Sequence, residues 1–365
     1  MIVLSTAILG CIVLFICFIL PPSLGKIKPF LDENGDILKG SISEKIHIKI
    51  NDTSLGMFII TKDDTNPVLL FLGGGPGIPE YLLEQLYPSG LENNFIVCYL
   101  EYRGTSLSYN QSIQPETMTT EQYISDIVEV TKYLSDRFKQ NKIYLLCHSF
   151  GTYIGLQTVT RYPNLYHAYI AMAQSTNQQE SEKTAYRYML EQYRSSGNAK
   201  MIKKFEKYPI LTSDEAYQEY FTSSLRDTAM HSLGVGTMRN MQSVISGIFF
   251  PSLRCGVYTP RERINIWRGK TFAQATPIVK DSRQFDAFNS INTIAIPIFF
   301  LAGRYDYTCC YNLQKEYYDK IQAPLKGFYT FENSAHSPLF EEPEKAKSIL
   351  LNDVILGKNI LSDFY

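Results

Sequence analysis

The stretch Tyr144 to Gly155, reading Y-L-L-C-H-S-F-G-T-Y-I-G, leaves the chain few ways to fold. An apolar run, Ile143 to Leu146, enters Cys147-His148-Ser149-Phe150-Gly151, and Gly-Thr-Tyr-Ile-Gly continues as a helix. A serine at the tip of such a strained strand-to-helix turn exposes its Oγ. The residues two before and two after it must be small, because strand and helix pass close together there. Gly151 meets that need fully and Cys147, larger than glycine, only in part. The turn also presents the Phe150 N–H at a helix N-terminus, where a developing oxyanion is favoured. His148 precedes the serine and is expected to point away from it.

The 365 residues are 45% hydrophobic, enough for a full core in one large domain with an insertion or in two modest ones. Net charge is −1 and no Lys/Arg run exceeds a pair, which argues against a nucleic-acid partner. Seven cysteines without a CxxC pattern, two of them in the N-terminal apolar segment, suggest neither a disulfide framework nor a metal site. No cofactor motif is present.

Met1 to Gly25 carries no charge, and Ile2 to Leu20 as a helix would span roughly 28 Å, close to a bilayer core. This segment, 1–25, is expected to be an uncleaved membrane anchor, with signal-peptide cleavage and secretion as the alternative.

Along the rest of the chain, Lys45 to Ile50 and Met57 to Thr61 read as an antiparallel pair, and Val68 to Leu72 as a buried strand entering Gly73-Gly74-Gly75-Pro76-Gly77. Such a loop lets backbone N–H groups face a ligand closely; a phosphate loop would need a following Lys-Ser/Thr. Phe95 to Leu100 is a strand. Thr119 to Phe138 is a helix opened by a Thr119/Gln122 capping box. Leu165 to Met172 follows the serine turn as another strand, so the order implies a parallel sheet covered on both faces. Residues 175–290 read mainly as helices, with Thr259-Pro260-Arg261-Glu262 a clear start, and form a cap between the two halves of the sheet domain, 36–174 and 291–365. Strands Ile296 to Leu301 and Phe328 to Phe331 lead to Asp306 and His336, and Pro343 to Leu356 closes the chain as a helix.

Asp306 and His336 thus lie past the C-terminal ends of two strands, where open parallel sheets place their ligands. Ser149, Asp306, His336 is the chain order of an α/β-hydrolase triad: the histidine takes and returns the serine proton, and the aspartate fixes its tautomer. His336 is the only one of five histidines beyond the cap.

Gly-Gly-Pro-Gly at 74–77, Arg103-Gly104-Thr105, His148-Ser149-Phe150-Gly151-Thr152, Gly303-Arg304-Tyr305-Asp306 and Ser334-Ala335-His336 together resemble proline iminopeptidases and their α/β-hydrolase relatives. The resemblance implies a mostly parallel sheet with an inserted helical cap, a catalytic Ser149, Asp306 and His336, and backbone oxyanion donors at Gly75 and Phe150. It further implies an aminopeptidase acting on small peptides. The sequence departs from the family at Gly73, where a histidine is usual, at Glu101-Tyr102 for Asp-Gln, and at Cys147. A free α-ammonium needs a paired carboxylate in the cap. Glu180, Glu182, Glu191, Asp214, Glu215, Glu219 and Asp227 are candidates. Esterase or amidase action on a small acyl substrate, and a non-catalytic binding protein, are the alternatives.

Overall fold

The computed structural model describes Gly10, Val13, Cys17 and residues 21–363. Nearly all of the expected anchor, Ile2 to Leu20, lies outside these. Among the described residues no helix is long and apolar enough to cross a membrane.

Eight strands form one sheet: β1 Ile42–Ile50, β2 Thr53–Thr61, β3 Val68–Leu72, β4 Ile96–Leu100, β5 Ile143–His148, β6 Tyr166–Met172, β7 Ile298–Gly303 and β8 Lys326–Phe331. Their spatial order is β1-β2-β4-β3-β5-β6-β7-β8. The β1–β2 and β2–β4 pairings are antiparallel, and every pairing from β4 to β8 is parallel. The inner strands are apolar without alternation because both faces are covered. In β3, Leu70 and Leu72 join one hydrophobic cluster and Leu69 and Phe71 the other, as successive side chains point to opposite faces.

On the first face lie α2 Thr120–Phe138 and α3 Phe150–Arg161, and on the second α1 Glu80–Leu86 and the C-terminal α14 Pro343–Ile349. Thr119 caps α2 by accepting the Gln122 N–H, but the expected box is only half made, because the Gln122 amide donates to Asp126 instead. The closing helix is shorter than its sequence suggests: after Ile349 it widens into a π turn over Leu350–Val354, and Gly357 takes a left-handed φ of 60°.

Between β6 and β7 the chain runs through α4 Gln178–Ser195, α5 Ala199–Phe205, α6 Asp214–Thr222, α7 Ser224–Ser232, α8 Phe250–Arg254, α9 Pro260–Gln274, α10 Pro277–Gln284 and α11 Ala287–Ser290. Thr259 and Glu262 complete a full capping box at α9. Helices α4 to α7 bury a core of their own around Tyr186, Met189, Phe205 and Tyr220. From Met238 onward the segment packs instead on the sheet's two clusters, through Met241, Tyr258 and Ile266 on one side and Ala273 and Ile278 on the other. The remaining helices, α12 Tyr311–Lys320 and α13 Pro338–Glu341, flank β7 and β8.

Candidate active site

Ser149 sits between β5 and α3 with φ 55° and ψ −118°, a strained backbone held by Ser149 N–H donation to the Met172 carbonyl at 3.0 Å. Gly151 is obligatory: a Cβ there would lie 2.3 Å from the Leu72 carbonyl oxygen. The bulk of Cys147 is absorbed across the elbow, where a Cβ on Gly155 would meet its Sγ at 2.2 Å. The two positions exchange size, so the turn keeps its geometry without a glycine at 147.

The loop after β3 lies against the serine, with Gly74 so near that a Cβ would be 3.2 Å from Ser149 Cβ. Gly75 and Phe150, the expected oxyanion donors, both line the cavity that holds Ser149. Position 73 cannot carry a large side chain in this chain, since a Cβ there would come within 2.6 Å of Glu80 Cγ. Tyr102, which replaces a glutamine of the resembled family, donates its hydroxyl to the Gly73 carbonyl at 2.8 Å.

Asp306 and His336 meet as the strand ends dictate. His336 Nδ1 lies 3.0 and 3.1 Å from the two Asp306 oxygens. Asp306 also accepts the Thr308 and Cys309 N–H groups at 2.9 Å and the Gln314 side-chain amide at 3.3 Å, so its carboxylate is fixed in position. Gly303 lets β7 approach the His336 loop, for a Cβ would collide with the Ala335 carbonyl. Ser149 and His336 face one cavity without a hydrogen bond between them among the described contacts; such bonds often tighten only when substrate binds. Cys309, whose thiol burial holds well protonated, lines the same cavity.

His148 does not simply turn away. Its ring is buried beneath the site, with Nδ1 2.6 Å from Glu80 Oε1 and Nε2 2.8 Å from the His336 carbonyl oxygen. A carbonyl only accepts, so Nε2 carries a proton, and Nδ1 faces the Glu80 carboxylate. Burial alone would lower the His148 pKa, but the charge and hydrogen bond of Glu80 outweigh it and the net shift is upward. Glu80 Oε1 also accepts the Gly74 N–H at 3.0 Å, so one carboxylate ties the glycine loop to the backbone of His336. Glu341 grips the same turn, accepting the Ala335 N–H at 2.9 Å and, from the 175–290 segment, the Arg239 N–H at 2.6 Å. Burial pushes its carboxyl up to about 7. Neither acid was visible as functional in the sequence; the available signals were an acid seven residues after Gly73 and another five after His336.

The cavity, about 260 Å³, has apolar walls that include Ile78, Met230 and Ile248. Of the seven candidate cap acids only Asp227 lines it. Glu182, behind it, is fully buried and bound through both oxygens by Arg226 at 2.5 and 2.8 Å. Among the described residues no group of three His, Cys, Asp or Glu side chains is arranged to hold a metal ion.

Sheet order, elbow and strand-end acid–histidine pair define an α/β-hydrolase. The family model described as "Serine aminopeptidase, S33" matches residues 84–228. A Bacillus subtilis (strain 168) protein named "Probable aminopeptidase YbaC" is 31% identical over 307 residues, 84% of this chain and 94% of its own length. The chain belongs to this serine aminopeptidase family, and it is a hydrolase. Among solved structures, a Mycobacterium smegmatis proline iminopeptidase superposes with a TM-score of 0.57 at 14% identity, covering 86% of this chain and 98% of its own. A proline iminopeptidase-related protein from Thermus thermophilus gives 0.58 at 17%, with the same coverages. A Bacillus megaterium epoxide hydrolase variant gives 0.52 at 18%, over 86% of this chain and all of its own. At these identities the structural likenesses speak for the fold alone.

Proposed function

We propose that the chain is a serine aminopeptidase that releases N-terminal residues, proline among them, from small peptides through an acyl-enzyme. The observation that carries this reading is the Asp306–His336 pair ending in the same cavity as a strained Ser149 at a helix N-terminus. His336 Nε2 takes the Ser149 proton as Oγ attacks the peptide carbonyl. The oxyanion forms against the Gly75 and Phe150 N–H groups. His336 then protonates the departing amine, and a water deprotonated by the same histidine releases the N-terminal residue. The substrate's ammonium is paired by Asp227, the one candidate acid on the cavity wall, whose Oδ1 among the described residues meets only the Arg226 guanidinium at 2.8 Å.

A fluorophosphonate probe is expected to label the wild type and not Ser149→Ala. Pro-naphthylamide is expected to be cleaved and its N-acetylated form not, because acetylation removes the charge Asp227 would pair. Labelling with equal turnover of both substrates would reject the amine requirement and favour esterase or amidase action; no labelling would reject the hydrolytic mechanism itself.

A further inference from the structure

The cavity wall contributed by residues 226–283 carries more positive than negative charge. Arg226 is satisfied, bonded to Glu182 and Asp227. Lys270, on α9, and Arg283, on α10, also line the cavity, and neither has an ion pair among the described residues. Lys270 Nζ sits over the Trp267 ring at 5.2 Å. The acid whose field reaches it, Asp227, is already bonded to Arg226. The Arg283 guanidinium stacks on Phe221 at 4.2 Å and donates a single hydrogen bond, to Gln274 at 2.9 Å. Three cations therefore stand against two carboxylates, and both unpaired cations are half-buried. Removing a cation from water without a counter-charge is costly, and burial accordingly depresses the pKa of each. An arrangement that leaves donors desolvated and unpaired in a binding cavity is completed by an anionic ligand.

We propose that Lys270 and Arg283 form an anion subsite that receives a substrate carboxylate, making the enzyme selective for short peptides that present one. The inference rests on the hydrolase reading above and adds a second recognition point: Asp227 reads the ammonium, and Lys270 with Arg283 reads a carboxylate on the departing portion. A peptide of two or three residues supplies both charges within a cavity of about 260 Å³, whereas a protein chain does not bring its C-terminus to its own N-terminal bond. Two sources share this chemistry, the C-terminal carboxylate and an acidic side chain.

The test compares kcat/KM for Pro-Leu, Pro-Leu amide and C-terminally amidated Pro-Glu in the wild type, Lys270→Gln, Lys270→Arg and Arg283→Gln. Pro-Leu is expected to exceed its amide by about tenfold or more, as for one charge-assisted contact. That ratio should collapse in Lys270→Gln, fall in Arg283→Gln and survive largely in Lys270→Arg. Amidated Pro-Glu matching Pro-Leu would show that a side-chain carboxylate serves as well as the C-terminal one; its matching Pro-Leu amide would confine the subsite to the C-terminus. Equal wild-type rates for Pro-Leu, its amide and amidated Pro-Glu, with Ser149 still labelled by fluorophosphonate, would overturn the subsite and leave the hydrolase standing. A ratio that persists in both Gln variants would remove these two residues from the role.

Discussion

Below the floor of the cavity Asp306 accepts three hydrogen bonds beyond its pairing with His336, which lines that floor, while in the roof Lys270 and Arg283 face the cavity with no ion pair among the described residues. The floor is made of strand ends whose polar groups are bonded to one another, so the geometry is in place before any ligand arrives. The roof comes from helices whose charges are left partly open. Preorganised groups supply rate, because they need not rearrange as charge develops; open groups supply selection, because they gain most from a ligand that completes them.

The contrast is most directly broken at the aspartate. Asp306→Asn keeps the shape of the floor and its size, but its amide donates where the carboxylate accepted, so His336 Nδ1 loses its partner and the ring its tautomer. Turnover of Pro-naphthylamide is expected to fall by about 10⁴, the scale of the same change in a serine protease triad. Fluorophosphonate labelling should slow in parallel. A loss under tenfold would mean that the floor is less preorganised than its hydrogen bonds imply.

A smaller effect is expected one layer down. Glu80→Gln retains an acceptor for the Gly74 N–H but removes the charge that holds the His148 proton. His148 is then less able to bond the His336 carbonyl, and on the proposed mechanism displacement of the His336 ring by a fraction of an ångström costs about ten- to a hundredfold in kcat. The pH profile separates this role from simple packing. In the wild type the His148 pKa lies above its ordinary value, so the pair is complete at lower pH and is lost as pH rises through that raised pKa. Glu80→Gln should therefore move the alkaline limb of kcat to lower pH. An unmoved limb with a lower kcat would reduce Glu80 to a packing residue.

The same division separates what the sequence discloses from what it hides. The inner strands are readable because two covered faces force an unbroken apolar run, as in Val68–Leu72, and Asp306 and His336 are readable because each directly follows such a run. The substitutions that looked like departures at Cys147 and Gly73 are compensated locally, by Gly155 and by Glu80. Both compensations lie within eight residues in sequence, yet only the turn geometry reveals which atoms meet. The Glu80–His148 bond joins residues 68 apart, and Arg226 finds Glu182 across 44; no periodicity records such pairings. The charge balance of the roof is hidden for the same reason. It depends on which of many similar helix-surface acids and bases turn inward, and six of the seven acids considered do not line the cavity.

The mildest expected effect lies at the seam between the two regions. Glu101, which stands where the resembled family has an aspartate, is buried at the end of β4; it accepts the Leu107 N–H at 2.7 Å and the hydroxyl of Tyr258, ahead of α9, at 2.6 Å. Burial pushes its carboxyl from 4.5 up to about 7, with the hydrogen bonds opposing only in part. A raised acid binds its proton more tightly in the folded than in the unfolded chain, so stability is greatest below the unfolded pKa and falls as pH rises from about 4.5 to 7. The shift sets an upper bound of about 3 kcal/mol on that loss, and Glu341, also raised to about 7, adds to it with the same sign. Thermal unfolding is therefore expected to drop by a few degrees between pH 5 and pH 7.5. Glu101→Gln cannot ionise, and because it can still accept from Leu107 it should flatten the slope while leaving kcat within about twofold. An identical slope in the variant would show that the join between the sheet and α9 tolerates a charged Glu101, and that the pH dependence arises elsewhere.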